Sequence, residues 1–267
     1  MLRTRIITAV VSLAIVGVVL FAIPHRYTEF LVGLLLLAGA WEWSGFLPRG
    51  DVVGAGSNAV RGAYTLLIAV CLVLAHMQIA ENTTLMLQVS CAWWVLAFLW
   101  TLRYPTPIPT AVRWVCGVLV LVPMYVALVT LLRLGVEYLI FTLLIVWLAD
   151  GGAYFAGKKF GRVKLAPQIS PGKTWEGVVG GMLLVALLAV AGAIVSGAAI
   201  PVVLPFCLAV AAISIVGDLT VSMFKRTSGV KDSGSLFPGH GGVLDRIDSV
   251  AAAAPLFAFG LGLLGLA

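Results

Sequence analysis

Charged side chains are scarce in this chain, and no polar stretch in it is long enough to fold as a soluble domain. Only 10% of the 267 residues are charged, whereas 61% are hydrophobic and the mean hydropathy is +1.10. Soluble domains are typically about 45–50% apolar. The composition therefore excludes an ordinary water-soluble protein. It predicts an all-α, polytopic integral membrane protein, because helices satisfy their own backbone hydrogen bonds in lipid.

Cysteine is rare as well, and its distribution excludes a disulfide framework and a zinc site. The cysteines fall in apolar segments without CxxC or Cys/His spacing, and we interpret them as small core residues. They are Cys71, Cys91, Cys116 and Cys207. The net charge of +6 would also suit nucleic-acid binding. Membrane proteins, however, concentrate Lys and Arg in cytoplasmic loops, and we expect no nucleic-acid partner.

Apolar runs of about 20 residues, the length that crosses a bilayer, predict nine transmembrane helices. The first run is long enough to span and lacks a clear cleavage site, so we interpret it as an uncleaved helix instead of a signal peptide. Very short turns separate the spans after Arg133 and after Ser196, whereas residues 104–109 form a proline-rich loop. The predicted spans are 6–23, 30–47, 62–80, 84–102, 112–133, 136–156, 175–197, 200–224 and 244–266.

Basic residues are distributed unevenly over the two sides of this arrangement. All but Arg26 and Arg133 of the 17 Lys and Arg lie on the side of the N-terminus. The positive-inside rule predicts that this side is cytoplasmic. We expect residues 1–135 to be scaffold helices and residues 136–267 to be a catalytic region, in a bacterial inner (plasma) membrane. The loops on the cytoplasmic side are 48–61, 103–113, 157–174 and 225–246.

Residues 222–248 form a polar, glycine-rich segment between two apolar stretches. Its composition is typical of a site that handles phosphate and a metal ion. Around Gly239, Gly241 and Gly242, consecutive backbone N–H groups can turn toward an anion, and a helix N-terminus adds a favourable dipole. A flexible loop is the alternative. We interpret His240 as a phosphate contact, although acid–base chemistry is also open to it.

Acidic residues also lie within predicted helices, where a carboxylate is costly and usually faces a cavity. Helical spacing aligns Asp218 with Ser222 and Lys225 on one stripe. Asp245 and Asp248 are three residues apart and share a face, a spacing that can bind Mg²⁺. The alternatives are a buried Asp218 bonded to a neighbouring helix, and ordinary acidic enrichment in a first helical turn.

A second polar segment follows Asp150 and includes Ser170, Pro171 and Lys173. Ser170 and Pro171 fit the N-cap and the first helical position of the next span. The run Gly-Lys-Thr is not a phosphate-binding P-loop, because the upstream glycine and a preceding strand are missing. Lys173 can still meet a phosphate as a point charge. Glu42, flanked by tryptophans on the second span, is interpreted as structural.

The 222–248 segment resembles the signature of the phosphatidate cytidylyltransferases, also called CDP-diacylglycerol synthases. The resemblance is strongest over residues 145–250 and extends weakly to the whole chain through its length and number of spans. The matching positions, in order and without departure, are Ser222, Lys225-Arg226, Lys231-Asp232, Pro-Gly-His-Gly-Gly at 238–242, Asp245-Arg246 and Asp248.

This resemblance implies that CTP and phosphatidate are converted to CDP-diacylglycerol and pyrophosphate with Mg²⁺, alone or with a second cation. In this hypothesis Asp218, Asp245 and Asp248 hold the metal, Ser222 lines the cavity, and Asp150 supports the metal or orients a basic residue. The residues expected to handle phosphates are Lys173, Lys225, Arg226, Lys231, His240 and Arg246.

Other functions stay open at this point. A CTP-dependent lipid or polyprenol kinase would release CDP in place of pyrophosphate. An ion-coupled secondary transporter would use the intramembrane acids to bind its coupling ion, and a scaffold subunit would leave the dense polar segment unexplained. The partners that the resemblance implies are CTP, phosphatidate and membrane lipids. A homodimer is also compatible with a small polytopic enzyme.

Overall fold

Helices account for almost all of the regular structure, as the apolar composition predicts. A computed structural model describes residues 16–47, 55–234 and 241–266, and 82% of it is helical. One short β-hairpin, with strands β1 (Lys164–Ala166) and β2 (Ser170–Thr174), interrupts the helices. The helices are α1 (His25–Trp43), α2 (Ala55–Thr101), α3 (Thr110–Leu134), α4 (Val136–Phe160), α5 (Trp175–Ser196), α6 (Ile200–Thr227) and α7 (Leu244–Leu264).

Within the described residues, seven helices are long and apolar enough to cross a membrane, so the chain is a multi-pass membrane protein. The predicted separations after Arg133 and after Ser196 are confirmed. Gly135 divides α3 from α4, and Gly197, in the left-handed conformation with φ 72°, ends α5. The predicted span 6–23 lies mostly outside the described residues, although residues 16–21 are helical.

Helix α2 differs from the two separate spans that the sequence predicts at 62–80 and 84–102. Residues 81–83 are not a loop, and helical structure is continuous over 47 residues. A straight helix of that length would measure about 70 Å at 1.5 Å per residue. The hydrocarbon core of a bilayer is only about 30 Å thick. The helix is therefore long enough to cross the membrane twice.

The contacts of α2 require it to reverse direction. Tyr64 and Trp43 both lie against Gly117 in α3. The ring of Trp43 is 5.0 Å from that of Phe224, and Phe224 is 5.8 Å from Trp100. A straight helix would separate Tyr64 from Trp100 by about 54 Å, far more than this short chain of contacts spans. A sharp bend must therefore lie between them. The total of nine spans and their orientation stay predictions.

The reversal predicts on which side of the membrane the middle of α2 is accessible. In a cysteine-free background, we expect Glu81→Cys and Arg103→Cys, both at exposed positions, to react with a membrane-impermeant thiol reagent from opposite sides. Glu137→Cys, exposed at the start of α4, is the matched control and should react together with Glu81→Cys. Reaction of Glu81→Cys and Arg103→Cys from one side would contradict the reversal.

The β-hairpin corrects the prediction that Ser170 and Pro171 begin the next helix. Both residues lie in β2, which pairs antiparallel with β1. Helix α5 begins later, because the Thr174 side chain accepts a hydrogen bond from the backbone N–H of Gly177 (3.2 Å) and caps the helix. The hairpin therefore brings Lys173 to the N-terminal end of α5.

Small residues allow the helices of the C-terminal half to pack closely. A Cβ atom on Gly152 in α4 would lie 2.8 Å from the backbone carbonyl oxygen of Gly180 in α5. A Cβ atom on Gly217 in α6 would lie 2.5 Å from the carbonyl oxygen of Asp248 in α7. The second contact brings Asp218, the next residue in α6, close to the first turns of α7.

The α4–α5 contact makes two adjacent glycines of α4 differ in their tolerance of a methyl group. Gly152→Ala should lower thermal stability, because overpacking against a backbone costs about 1–3 kcal/mol. Gly151→Ala meets no atom within 4 Å and should leave stability equal or slightly higher, because alanine favours a helix over glycine by up to about 1 kcal/mol. Thermal unfolding in one detergent compares them, and equal effects would argue against close α4–α5 packing.

Candidate active site

The first ion pair of the site joins the β-hairpin to helix α6. Lys173 Nζ lies 2.6 Å from Asp218 Oδ2. The hydroxyl of Ser222, one turn further along α6, donates to Asp218 Oδ1 at 3.0 Å. The predicted alignment of Asp218 with Ser222 is thus confirmed. The lysine and the hydroxyl compensate the charge of the Asp218 carboxylate, which lies among apolar helices.

The second ion pair joins α6 to the N-terminal end of α7. Lys225 Nζ lies 2.8 Å from Asp245 Oδ1, and both side chains are largely buried. Asp245 also accepts hydrogen bonds from the backbone N–H groups of Ser233 (3.0 Å) and Gly242 (2.9 Å). Asp245 therefore organises the loop between the two helices. The ion pair of Lys225 is with this acid, while Asp218, with which helical spacing aligns it, lies within electrostatic range of the same lysine.

Two more acids complete the polar cluster. Asp248 is buried in the first turns of α7, where its Oδ1 accepts the N–H of Ser249 at 2.8 Å. It lies within electrostatic range of Asp218 and Lys225. Asp150 comes from α4 and lies within electrostatic range of Asp218 and Lys173. The structure therefore brings together Asp150, Asp218 and Asp248, although almost 100 residues separate the first from the last.

The remaining predicted residues of α6 and the hairpin have different surroundings. Arg226 donates from Nε to the carbonyl oxygen of Ile169 (3.1 Å), so it ties the hairpin that carries Lys173 to the end of α6. Lys231 is exposed in the loop after α6. Arg246 is exposed on α7, on a different side from the buried Asp248.

The glycines before α7 lie against Asp245, an acid in the first turn of that helix. Gly241 has a left-handed conformation with φ 81°, and a Cβ atom there would lie 2.6 Å from Asp245 Oδ2. Gly242 supplies a backbone N–H to the same carboxylate. Gly239 and His240, for which a phosphate contact is predicted, lie outside the described residues.

Sequence reasoning missed the contribution of Glu42 to this site. Its carboxylate, at the end of α1, accepts hydrogen bonds from the backbone of Val243 (2.9 Å) and Leu244 (2.8 Å) and from the hydroxyl of Ser233 (2.9 Å). The interpretation as a structural residue agrees with these contacts, but the contacts lie beside the polar cluster. An acid within a predicted membrane span was the available signal.

The donor atoms suit a hard cation only in part. Across the described ranges, no three His, Cys, Asp or Glu side chains stand close enough together to hold a metal ion. Asp218 and Asp248 face one another electrostatically, and carboxylate oxygens are the ligands that Mg²⁺ prefers. The oxygens of Asp245 are engaged by Lys225 and two backbone N–H groups, and those of Asp218 are engaged by Lys173 and the Ser222 hydroxyl. The cluster therefore offers carboxylate oxygens suited to a cation, and which of the three predicted ligands would bind it stays a prediction.

Comparisons with known proteins show which family the chain resembles over its length. A model of the cytidylyltransferase family matches residues 3–264. The chain is 42% identical to a phosphatidate cytidylyltransferase of Pseudomonas aeruginosa, over 97% of this chain and 96% of that protein. It is 37% identical to the protein of that name from Haemophilus influenzae, over 97% and 98% of the two chains. The Bacillus subtilis protein of the same name is 42% identical over 48% of this chain and 49% of its own.

The buried Lys225–Asp245 pair predicts a strong asymmetry between single and double substitution. Lys225→Met should destabilise the folded protein by about 3–5 kcal/mol, because it leaves a buried carboxylate without its cation. Lys225→Met/Asp245→Asn should recover much of that loss, since asparagine still accepts a backbone hydrogen bond and carries no charge. Thermal unfolding of the wild type, both single variants and the double variant measures the coupling. Additive effects would contradict the pairing.

Proposed function

Because the chain belongs to the cytidylyltransferase family, we propose that it transfers a cytidylyl group from CTP to phosphatidate. The products are CDP-diacylglycerol and pyrophosphate. The observation that carries this proposal is the convergence of Asp218, Asp245 and Asp248 with two lysines. It occurs in a chain that matches named phosphatidate cytidylyltransferases over almost its full length. The two substrates are inferred from the names of those relatives.

The chemistry explains why the described part of the site consists of charges, because the reaction needs no strong general base. An oxygen of the lipid phosphate attacks the α-phosphorus of CTP, and a new oxygen–phosphorus bond forms. The bond from the α-phosphorus to the bridging oxygen breaks, and its electron pair leaves with pyrophosphate. The nucleophile is already ionised. The protein therefore has to bring two polyanions together and stabilise the leaving group.

We propose Asp218 and Asp248 as the residues that would hold Mg²⁺. This ion commonly takes one or two carboxylates and completes its coordination with water and substrate phosphates. When bound, it would neutralise phosphate charge that the lysines alone do not cancel. Asp245 would become a third ligand only by giving up Lys225. Asp150 supports this group through its electrostatic proximity to Asp218 and Lys173.

Lys173 and Lys225 are the cations closest to these acids. Lys173 compensates Asp218 in the free protein, and we propose that its ammonium group turns to a phosphate when a metal ion neutralises the acid. Lys225 keeps Asp245 in place. We assign Lys231, Arg246 and His240 to phosphate contacts, as the family signature implies. We assign Arg226 to a phosphate contact as well, in addition to its bond to the hairpin.

The proposal includes a location for the enzyme. Its relatives are bacterial, and the distribution of Lys and Arg favours a cytoplasmic site. We therefore propose that the protein resides in the inner membrane, with the polar cluster open to the cytoplasm, where CTP is found. A homodimer is part of the proposal and follows only from the small size of the chain.

The decisive experiment measures pyrophosphate release by the purified protein from CTP, Mg²⁺ and phosphatidate in mixed micelles, with each component omitted in turn. We expect release only with all three components, together with one CDP-lipid per pyrophosphate. CDP release with a phosphorylated lipid would indicate a kinase instead. Lack of nucleotide turnover by folded protein would favour the transporter interpretation.

Within that assay, Asp218→Asn should lower turnover by about a thousand-fold or more, because a preorganised charge at the reacting phosphates is lost. The protein should remain folded, since asparagine still accepts the hydrogen bond of Ser222. Thr220→Val is the matched control in the same helix; its hydroxyl bonds only the carbonyl oxygen of Val216, and turnover should be nearly unchanged. Near-normal activity of Asp218→Asn would remove Asp218 from the reaction.

A further inference from the structure

Glu42 belongs to the N-terminal half of the chain but contacts residues about 200 positions away. It is the second-last residue of α1, and only 8% of its surface is exposed. Its Oε1 accepts the N–H of Val243, and its Oε2 accepts the N–H of Leu244 and the hydroxyl of Ser233. No other acid in the described residues accepts from the backbone of α7's first residue.

The contacts with Val243 and Leu244 fill the role of a helix cap. The first N–H groups of any helix lack partners within the helix, and a negative charge there is favoured by the helix dipole. Val243, the residue before α7, provides no side-chain cap. The carboxylate of Glu42 therefore caps α7 from another helix.

The loop before α7 is also built around this carboxylate. Gly234 and Gly242 lie so close to Glu42 that neither position leaves room for a Cβ atom. Ser233, which bonds Glu42 through its side chain, bonds Asp245 through its backbone N–H. The two carboxylates hold the same loop from opposite sides, one from α1 and the other from α7 itself.

We propose that Glu42 is a positioning residue of the cytidylyltransfer reaction, which rests on the function proposed above. By capping α7 and holding residues 233 and 234, Glu42 sets the direction of the first turns of that helix. Those turns carry Asp245 and Asp248. Glu42 touches neither substrate nor metal in this proposal and acts through these two acids. The N-terminal helices are thus part of the active site's framework.

The test compares Glu42→Gln with the wild type by hydrogen–deuterium exchange and by kinetics. The amide oxygen of glutamine can keep the hydrogen bonds of one carboxylate oxygen, while its NH₂ group meets a donor at the position of the other. We expect amide exchange to rise at least ten-fold in peptides covering residues 241–247. In the pyrophosphate assay we expect kcat to fall at least ten-fold, with a smaller change in KM for CTP.

Glu29→Gln is the matched control, because it makes the same substitution in the same helix. Glu29 is paired with Arg133 through two hydrogen bonds of 2.8 and 2.9 Å, and within the described part of the chain its hydrogen bonds and ion pairs are with Arg133 and His76, not with α7. This variant should lower the thermal unfolding midpoint but leave both kcat and the exchange of residues 241–247 near wild-type values. A purely structural Glu42 would behave in the same way as Glu29.

Gly234→Ala provides a second variant if Glu42→Gln does not accumulate, because its methyl group would displace the carboxylate without removing it. Unchanged amide exchange at residues 241–247 in these variants would overturn the proposal. A decrease in kcat that the fraction of unfolded protein fully explains would overturn it too. The exchange measurement does not depend on the reaction. A wild-type protein without CTP-dependent turnover would therefore contradict the proposed function, while the exchange data would still report on the cap.

Discussion

The structure depends on compensation of carboxylates that lie among apolar helices. A charge removed from water is tolerated only when opposite charges or hydrogen-bond donors replace the lost hydration. Asp218 is compensated by Lys173, Asp245 by Lys225, and Glu42 by backbone N–H groups. Each partner comes from a different segment of the chain. The same contacts that make these acids tolerable therefore join the β-hairpin, α1, α6 and α7 into one arrangement.

Close helix packing makes this compensation possible. Gly217 lets α6 approach the backbone of Asp248, and Gly152 lets α4 approach α5. Apolar helices gain little from the hydrophobic effect inside lipid, so van der Waals packing of small residues and interhelical hydrogen bonds hold them together. The glycines of the C-terminal half thus serve the site as directly as its charged residues, because they set the distances between the acids.

Much of the helical framework could be predicted from the sequence, and the exceptions have physical causes. The starts of α4, α5, α6 and α7 agree with the predicted spans, because long apolar runs leave few alternatives. The turn within α2 was expected as a loop, but residues 81–83 keep helical structure. The sequence does not predict the β-hairpin, because strands of three and five residues are too short to carry a clear alternation, and they are defined by pairing with one another.

The division into scaffold and catalytic halves remains a prediction, and Glu42 shows how the two parts depend on each other. By itself, the sequence determined the membrane class, the approximate spans and the identity of the acids and lysines, because these follow from composition and local order. Only the tertiary structure decided the partners: Lys225 with Asp245, Lys173 with Asp218, and Glu42 with the start of α7. Partner choice depends on distances between segments far apart in the chain, and the packing of the helices and of the β-hairpin sets those distances.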